Sequence, residues 1–187
     1  NVYRRQKRAL LDEDLSWTVT PCPLRHRGPC AGFLCRGKTG ADHLDRAAAD
    51  YYGVPQWEYN RIKEGGDFTA PDGTVIPHER LTTPATPGRS YAYCCDTAYN
   101  PDMIPLIKGV DLIYHDSTYS DEDADRAARH FHSTAGEAAR TALEAEAGKL
   151  VLGHFSARYS DETVLLEDAT RIFKNTVLAK ENLTISI

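Results

Sequence analysis

Leu150-Val151-Leu152-Gly153 is an apolar run that stops at His154, and Arg158 follows four residues later. Two upstream runs have the same form. Tyr91-Ala92-Tyr93-Cys94-Cys95 leads into Asp96-Thr97, and Asp111-Leu112-Ile113-Tyr114 leads into His115-Asp116-Ser117-Thr118. Short apolar runs of this kind suit buried strands. Open α/β sheets gather ligands at the C-terminal edges of their strands. Three such edges side by side would collect imidazoles and carboxylates, which bind metals, next to a guanidinium shaped for phosphate. The pattern restricts the chain to an α/β sheet and points to metal-assisted hydrolysis.

The spacing beyond Gly88 predicts alternating strands and helices, an α/β layered arrangement. Strands are expected at 91–95, 111–115, 149–153 and 183–187. Helices are expected at 101–108, 121–131, 134–147 and 161–173. Thr134 and Glu137 have capping-box spacing, which starts the third of these helices. Upstream the pattern is less regular. Residues 15–20 alternate as a strand that Pro21 and Pro23 end, and 31–36 would pair with it after a turn at Gly28-Pro29. Residues 41–52 read as a helix through Leu44, Ala47 and Ala48, with Gly53 as its stop. Residues 57–63 fit no single period. Pro71-Asp72-Gly73 marks a turn inside a hairpin over 68–76, and 82–88 reads as a loop.

A length of 187 residues suits one domain or most of one, and 41% hydrophobic content permits a core. The net charge of −5 weighs mildly against a nucleic-acid binder. Arg4, Arg5, Lys7 and Arg8 form a local basic patch that reads as a solvated terminal segment. The five cysteines contain no Cys-x-x-Cys pair, which argues against a zinc knuckle. They read as free thiols in a reducing compartment, and the cytoplasm is expected. No apolar run approaches 18 residues, so no membrane span is expected.

Taken in order, Cys95-Asp96-Thr97, His115-Asp116-Ser117-Thr118, His132-Ser133-Thr134 and His154-Phe155-Ser156-Ala157-Arg158-Tyr159 resemble ribonuclease Z. That family comprises the tRNA 3′-processing endonucleases of the metallo-β-lactamase superfamily. Pro23-Leu24-Arg25-His26 and Lys63-Glu64-Gly65-Gly66-Asp67 match more loosely. The likeness runs from about Trp17 to Ile187. The family's first metal motif, His-x-His-x-Asp-His, occurs nowhere in this sequence. The chain therefore looks like the C-terminal half of the enzyme. The resemblance implies half of an αβ/βα sandwich, with a mixed sheet and flanking helices. Residues 1–187 would form a single partial domain. Residues 37–67 fall where bacterial members insert an arm that grips tRNA. Those arms usually carry Gly-Pro, and this chain has Val54-Pro55-Gln56-Trp57 instead.

The resemblance also assigns roles. Asp96 is the carboxylate shared by two zinc ions, His26 completes the first metal site, and His154 completes the second. Further ligands belong to the absent motif, so the chain alone is expected to be inactive. His132 belongs to the family's His-Ser-Thr loop, and Asp116 stands where its other loop carries glutamate. This pair would protonate the leaving 3′-oxygen. Aspartate is one methylene shorter, so it must approach His132 differently or reach it through water. Arg158 would hold a phosphate.

Local sequence offers plainer roles for the same residues. Asp96 before Thr97 suits a turn cap. His26 suits a structural role in a loop bounded by Pro and Gly. Arg158 suits a surface position leading a helix. His115 reads as a satisfied structural histidine. His132 lies at the positive end of a helix dipole, which disfavours imidazolium, while a neighbouring carboxylate would favour it and fix its tautomer.

The resemblance implies a zinc-dependent endoribonuclease that removes 3′ trailers from precursor tRNA and acts as a homodimer. Two alternatives remain. One is another phosphodiesterase or ester hydrolase of the same fold. The other is a non-catalytic binding or dimerisation module.

Overall fold

The computed structural model describes residues 12, 13 and 16–187. The basic residues Arg4, Arg5, Lys7 and Arg8 lie outside the described residues. Two compact units are present. One comprises the described residues up to Gly37 together with Arg89–Ile187, and the other is Lys38–Gly88. In chain order the first unit begins with β1 (Asp12–Glu13), β2 (Trp17–Pro23) and β3 (Ala31–Gly37). The second unit holds β4 (His43–Leu44), α1 (Arg46–Tyr51), α2 (Tyr59–Lys63), β5 (Phe68–Thr69), β6 (Val75–Ile76) and β7 (Thr82–Thr83). The first unit resumes with β8 (Ser90–Cys94), β9 (Leu112–Asp116), α3 (Ala124–His130), α4 (Ala135–Glu144), β10 (Lys149–Gly153), α5 (Thr163–Ile172) and β11 (Thr176–Leu178).

The main sheet has seven strands in the order β1-β2-β3-β8-β9-β10-β11. It is antiparallel as far as the β3–β8 pair and parallel from β8 to β11. This is the mixed sheet with flanking helices that the sequence implies. Its core lies on one face. Leu34, Ala92, Ile113, Leu150 and Leu152 pack there with Ala135, Ala138, Ala139 and Ala142 of α4 and Leu165 and Ala169 of α5. The α4 contacts are methyl groups, so the helix can approach the strands closely. The opposite face carries a row in register, Phe33–Tyr93–Tyr114. Phe33 and Tyr93 are exposed, and Tyr93 stacks on Tyr114 with ring centroids 5.1 Å apart.

Several boundaries differ from expectation. Pro21 and Pro23 lie inside β2, paired with Phe33 and Ala31. Among the described residues, strand β1 meets β2 only at Thr18 and Val19. Among the described residues the outer edge of β2 is therefore free where the prolines, two residues apart, point their missing donors. The helix expected over 41–52 starts only at Arg46, because Asp45 caps it by accepting Ala48 N–H and His43–Leu44 pairs with β7. Residues 101–106 form a 3₁₀ turn rather than an α-helix, with Pro105 inside it. The last strand is β11, not 183–187. Asn175 docks this segment by donating to Gly148 O and by accepting Leu150 N–H, which lays Thr176–Leu178 beside β10.

Other expectations hold. The β2–β3 hairpin and the capping box at Thr134 and Glu137 are present. The Pro71-Asp72-Gly73 turn joins β5 to β6, with Gly73 at φ +86°. The second unit has its own core of Ala49, Val54, Ile62, Phe68, Ile76 and Leu81. The expected arm at 37–67 falls almost wholly within this unit, which continues to Gly88.

Candidate active site

The ladder register puts three strand ends level. Cys94 pairs with His115, His115 with Leu152, and Asp116 with Gly153. Asp96 lies two residues past β8, Asp116 is the last residue of β9, and His154 directly follows β10. Asp96 and His154 both have φ +62°, the left-handed region that residues with a Cβ rarely enter. The two side chains meet at the edge, with His154 Nε2 3.6 Å from Asp96 Oδ1. The His26 loop is tied to the same edge, because Arg25 N–H donates to Thr97 Oγ1 and Ala98 N–H to Arg25 O. His132 arrives from the end of α3, where Phe131 takes a left-handed cap conformation at φ +63°.

Five residues thus converge. His26 Nε2 lies 3.9 Å from Asp96 Oδ1, and His154 Nε2 lies 3.6 Å from the same oxygen. The rings of His132 and His154 stack with centroids 5.2 Å apart, and His26 lies 5.5 Å from His132. One potential ligand atom from each of Asp96, Asp116, His132 and His154 falls within 4.8 Å of all the others.

The hydrogen bonds behind these rings decide which nitrogens remain free. His26 Nδ1 meets Phe131 O at 3.1 Å, and a carbonyl only accepts, so Nδ1 carries the proton. His132 Nδ1 meets Asp116 Oδ2 at 2.8 Å. His154 Nδ1 meets Thr118 Oγ1 at 2.9 Å. In His26 the Nε2 lone pair is consequently bare and turned toward Asp96.

Asp116 is fully buried and surrounded by donors. Its Oδ1 accepts from Thr118 N–H, Thr118 Oγ1–H and Ser133 N–H, and its Oδ2 accepts from Thr97 N–H and His132. A carboxylate so occupied orients its neighbours and has no lone pair left for a metal. The shorter aspartate reaches His132 directly, and no bridging water is required.

Arg158 already has a partner, and the reading of His115 needs correction. Arg158 is not free at the edge, because its Nη1 donates to both carboxylate oxygens of Asp123 at 2.8 Å. Tyr159 Oη–H donates to the same carboxylate, and the guanidinium lies over the Tyr119 ring. His115 is fully buried but only half satisfied. Its Nδ1 meets Asp116 O at 2.7 Å, while Nε2 has no partner among the described residues. Burial holds its pKa below the usual histidine value.

Two ligand atoms on one tetrahedral zinc, each about 2.0–2.1 Å from the ion, stand about 3.3 Å apart. The 3.6–3.9 Å separations around Asp96 Oδ1 are close to that spacing and too long for hydrogen bonds. Second-row partners that fix each ring are also what metal-binding histidines require. Neither Cys95 nor Cys30 places its sulfur within the cluster formed by Asp96, Asp116, His132 and His154. The residues present fit a divalent metal.

The chain is 50% identical to ribonuclease Z of Bacteroides thetaiotaomicron over 99% of its own length and 58% of the relative's. It is 49% identical to ribonuclease Z of Porphyromonas gingivalis, over 97% of the chain and 60% of the relative. Along nearly its whole length this chain is similar to ribonuclease Z. It spans about six-tenths of the length of these curated relatives.

The model of the β-lactamase superfamily domain matches residues 73–155, which include the strand ends after β8, β9 and β10. Among solved structures, the metallo-β-lactamase fold protein YhfI of Bacillus subtilis superposes with a TM-score of 0.59 at 18% identity, covering 95% of this chain and 50% of that one. The short form of human tRNase Z superposes with a TM-score of 0.58 at 24% identity, covering 98% of this chain and 48% of that one. The fold of this chain is metallo-β-lactamase-like, and its Asp and His cluster is a candidate metal centre. Among the described residues no helix is long and apolar enough to cross a membrane. All five cysteines are free.

Proposed function

We propose that the full-length protein is a zinc-dependent endoribonuclease that removes 3′ trailers from precursor tRNA. The observation that carries this reading is the convergence of His26 and His154 on Asp96 beside a His132–Asp116 pair. His26, Asp96 and His154 would hold two zinc ions, with Asp96 shared and His26 and His154 on either side. Three residues fall short of two tetrahedral sets of about four ligands each, so other residues of the longer protein supply the rest. Bound zinc would neutralise phosphate charge and lower the pKa of a bound water to about 7.

The chain's own residues do the remaining work. Asp116 holds His132 through Nδ1 and offsets the charge of the doubly protonated ring. His132 Nε2 can then give its proton to the departing 3′-oxygen, a general acid step. Arg158 is fixed by Asp123 through Nη1 alone, which leaves Nε and Nη2 for a phosphate of the substrate. The Lys38–Gly88 unit exposes Tyr51 and Trp57, which suit stacking on nucleic acid. We assign that unit to tRNA contact, in a homodimer acting in the cytoplasm. The missing Gly-Pro of the arm favours a second reading, a phosphodiesterase of the same fold with another substrate.

The test combines activity with metal content. The full-length protein with zinc should cut precursor tRNA after the discriminator base and leave a 3′-hydroxyl. Asp96→Ala should lose both zinc ions and all cleavage, measured by elemental analysis and gel assay. Two zinc ions retained in Asp96→Ala would refute the shared carboxylate. Turnover of small phosphodiesters but not of precursor tRNA would favour the second reading.

A further inference from the structure

Thr118 stands between the two halves of the site. Its hydroxyl lies 2.8 Å from Asp116 Oδ1, 2.9 Å from His154 Nδ1 and 2.9 Å from His154 O. It has one proton to give and three acceptors in reach. A charge-assisted bond to a carboxylate is roughly twice as strong as a neutral one, so Asp116 takes that proton. Asp116 is wholly buried and has no water to turn to instead. With its proton committed, the hydroxyl can only accept from His154 Nδ1. The imidazole must then carry its proton on Nδ1 and leave Nε2 bare, 3.6 Å from Asp96 Oδ1.

We propose that Thr118 is a positioning residue that sets the tautomer of His154. Through it one carboxylate serves two histidines. Asp116 Oδ2 fixes His132 directly, and Asp116 Oδ1 fixes His154 through the Thr118 hydroxyl. The proposal rests on the reading of His154 as a metal ligand. The geometry favours a hydroxyl over a direct carboxylate contact, because His154 Nδ1 is 3.7 Å from Asp116 Oδ2, beyond hydrogen-bond range. Thr118 also holds the backbone at this corner. Its N–H donates to Asp116 Oδ1, and its carbonyl accepts Ser156 N–H just past His154. The hydroxyl is thus delivered from a fixed main chain.

Two measurements test this on the full-length protein. The first is ¹⁵N NMR of histidine-labelled, metal-free wild-type protein at pH 8, which reads the ring tautomer directly. His154 should be protonated on Nδ1, and an Nε2-protonated His154 overturns the proposal. The second is zinc affinity by chelator competition for wild type, Thr118→Val, Thr118→Ser and His154→Ala. Loss of a partner behind a ligand typically weakens metal binding about 10–100-fold, and Thr118→Val should do so at one site while Thr118→Ser restores affinity. Unchanged affinity in His154→Ala would refute the metal reading itself. Weakened binding in His154→Ala with unchanged affinity in Thr118→Val would refute only the role of Thr118. If Thr118→Val does not fold, the wild-type tautomer and the Thr118→Ser affinity decide.

Discussion

Replacing Asp116 with asparagine keeps the size of the side chain and removes one acceptor oxygen. The native carboxylate takes protons from Thr97 N, Thr118 N, Thr118 Oγ1, Ser133 N and His132. The best orientation for asparagine keeps its oxygen toward Thr118 and Ser133. Its NH₂ group then faces Thr97 N–H and His132 Nδ1. Thr97 is fully buried, so its N–H loses its acceptor and cannot find water. An unsatisfied buried donor costs about 1–3 kcal/mol. The three surviving bonds change from charge-assisted to neutral, a further loss of about 1 kcal/mol. The sum is about 3 kcal/mol, which in a chain of 187 residues lowers Tm by roughly 6–12 °C. The NH₂ group also forces His132 to accept at Nδ1, moving its proton to Nε2 and removing the charge that supports imidazolium. In the full-length protein, activity should fall by about 10²–10⁴ with zinc content intact. Urea unfolding gives the stability, elemental analysis the metal, and a tRNA cleavage assay the rate. A stability loss under about 0.5 kcal/mol, the range of an ordinary surface change, would show that the donor ring around Asp116 does not hold these loops.

Two further outcomes follow from packing and burial. A Cβ on Gly153 would collide with Oη and Cζ of Tyr114, so Gly153→Ala should destabilise by about 1–3 kcal/mol. The Gly153→Ala/Tyr114→Ala double variant should be more stable than the two separate losses added together, and simple additivity in urea unfolding would show that the ring moves away freely. Burial of His115 lowers its pKa from 6.5, so between the folded and unfolded values only the unfolded chain takes the proton. Its contribution to stability is present above about pH 6.5 and is lost as pH falls toward the folded value. Unfolding curves should show that slope in wild type and a smaller one in His115→Gln, and equal slopes would mean that burial does not lower the pKa of His115.

The parallel half of the sheet was legible because buried parallel strands are near-continuous apolar runs. The segments ending at Cys94, Asp116 and Gly153 stand out for that reason, as does α4 through its capping box. The short elements were not legible. His43–Leu44 and Thr82–Thr83 form strands only because each meets the other, and Thr176–Leu178 won over 183–187 through side-chain docking of Asn175. The residues of the site could be named from sequence, but their second partners could not. Asp123 lies 35 residues from Arg158 in the chain, and no local pattern links them. Thr118 did leave a signal. An aspartate that accepts from the backbone N–H two residues on makes an Asx-turn, and Asp116-Ser117-Thr118 has that form. The direct Asp116–His132 contact depends on how closely two loops approach, which one-dimensional spacing does not contain.

The left-handed backbone at Asp96 and His154 sets the needs of folding against those of the site. A residue with a Cβ loses roughly 1–2 kcal/mol in this conformation, less for aspartate, and glycine loses almost nothing. Against a total stability of about 5–15 kcal/mol for a typical domain, the two corners together are a sizeable fraction. Glycine is the residue the main chain favours at both, and it would leave nothing to face a metal. The most stable version of this sheet edge and the version with side chains at these corners are therefore different sequences, and the chain carries the second.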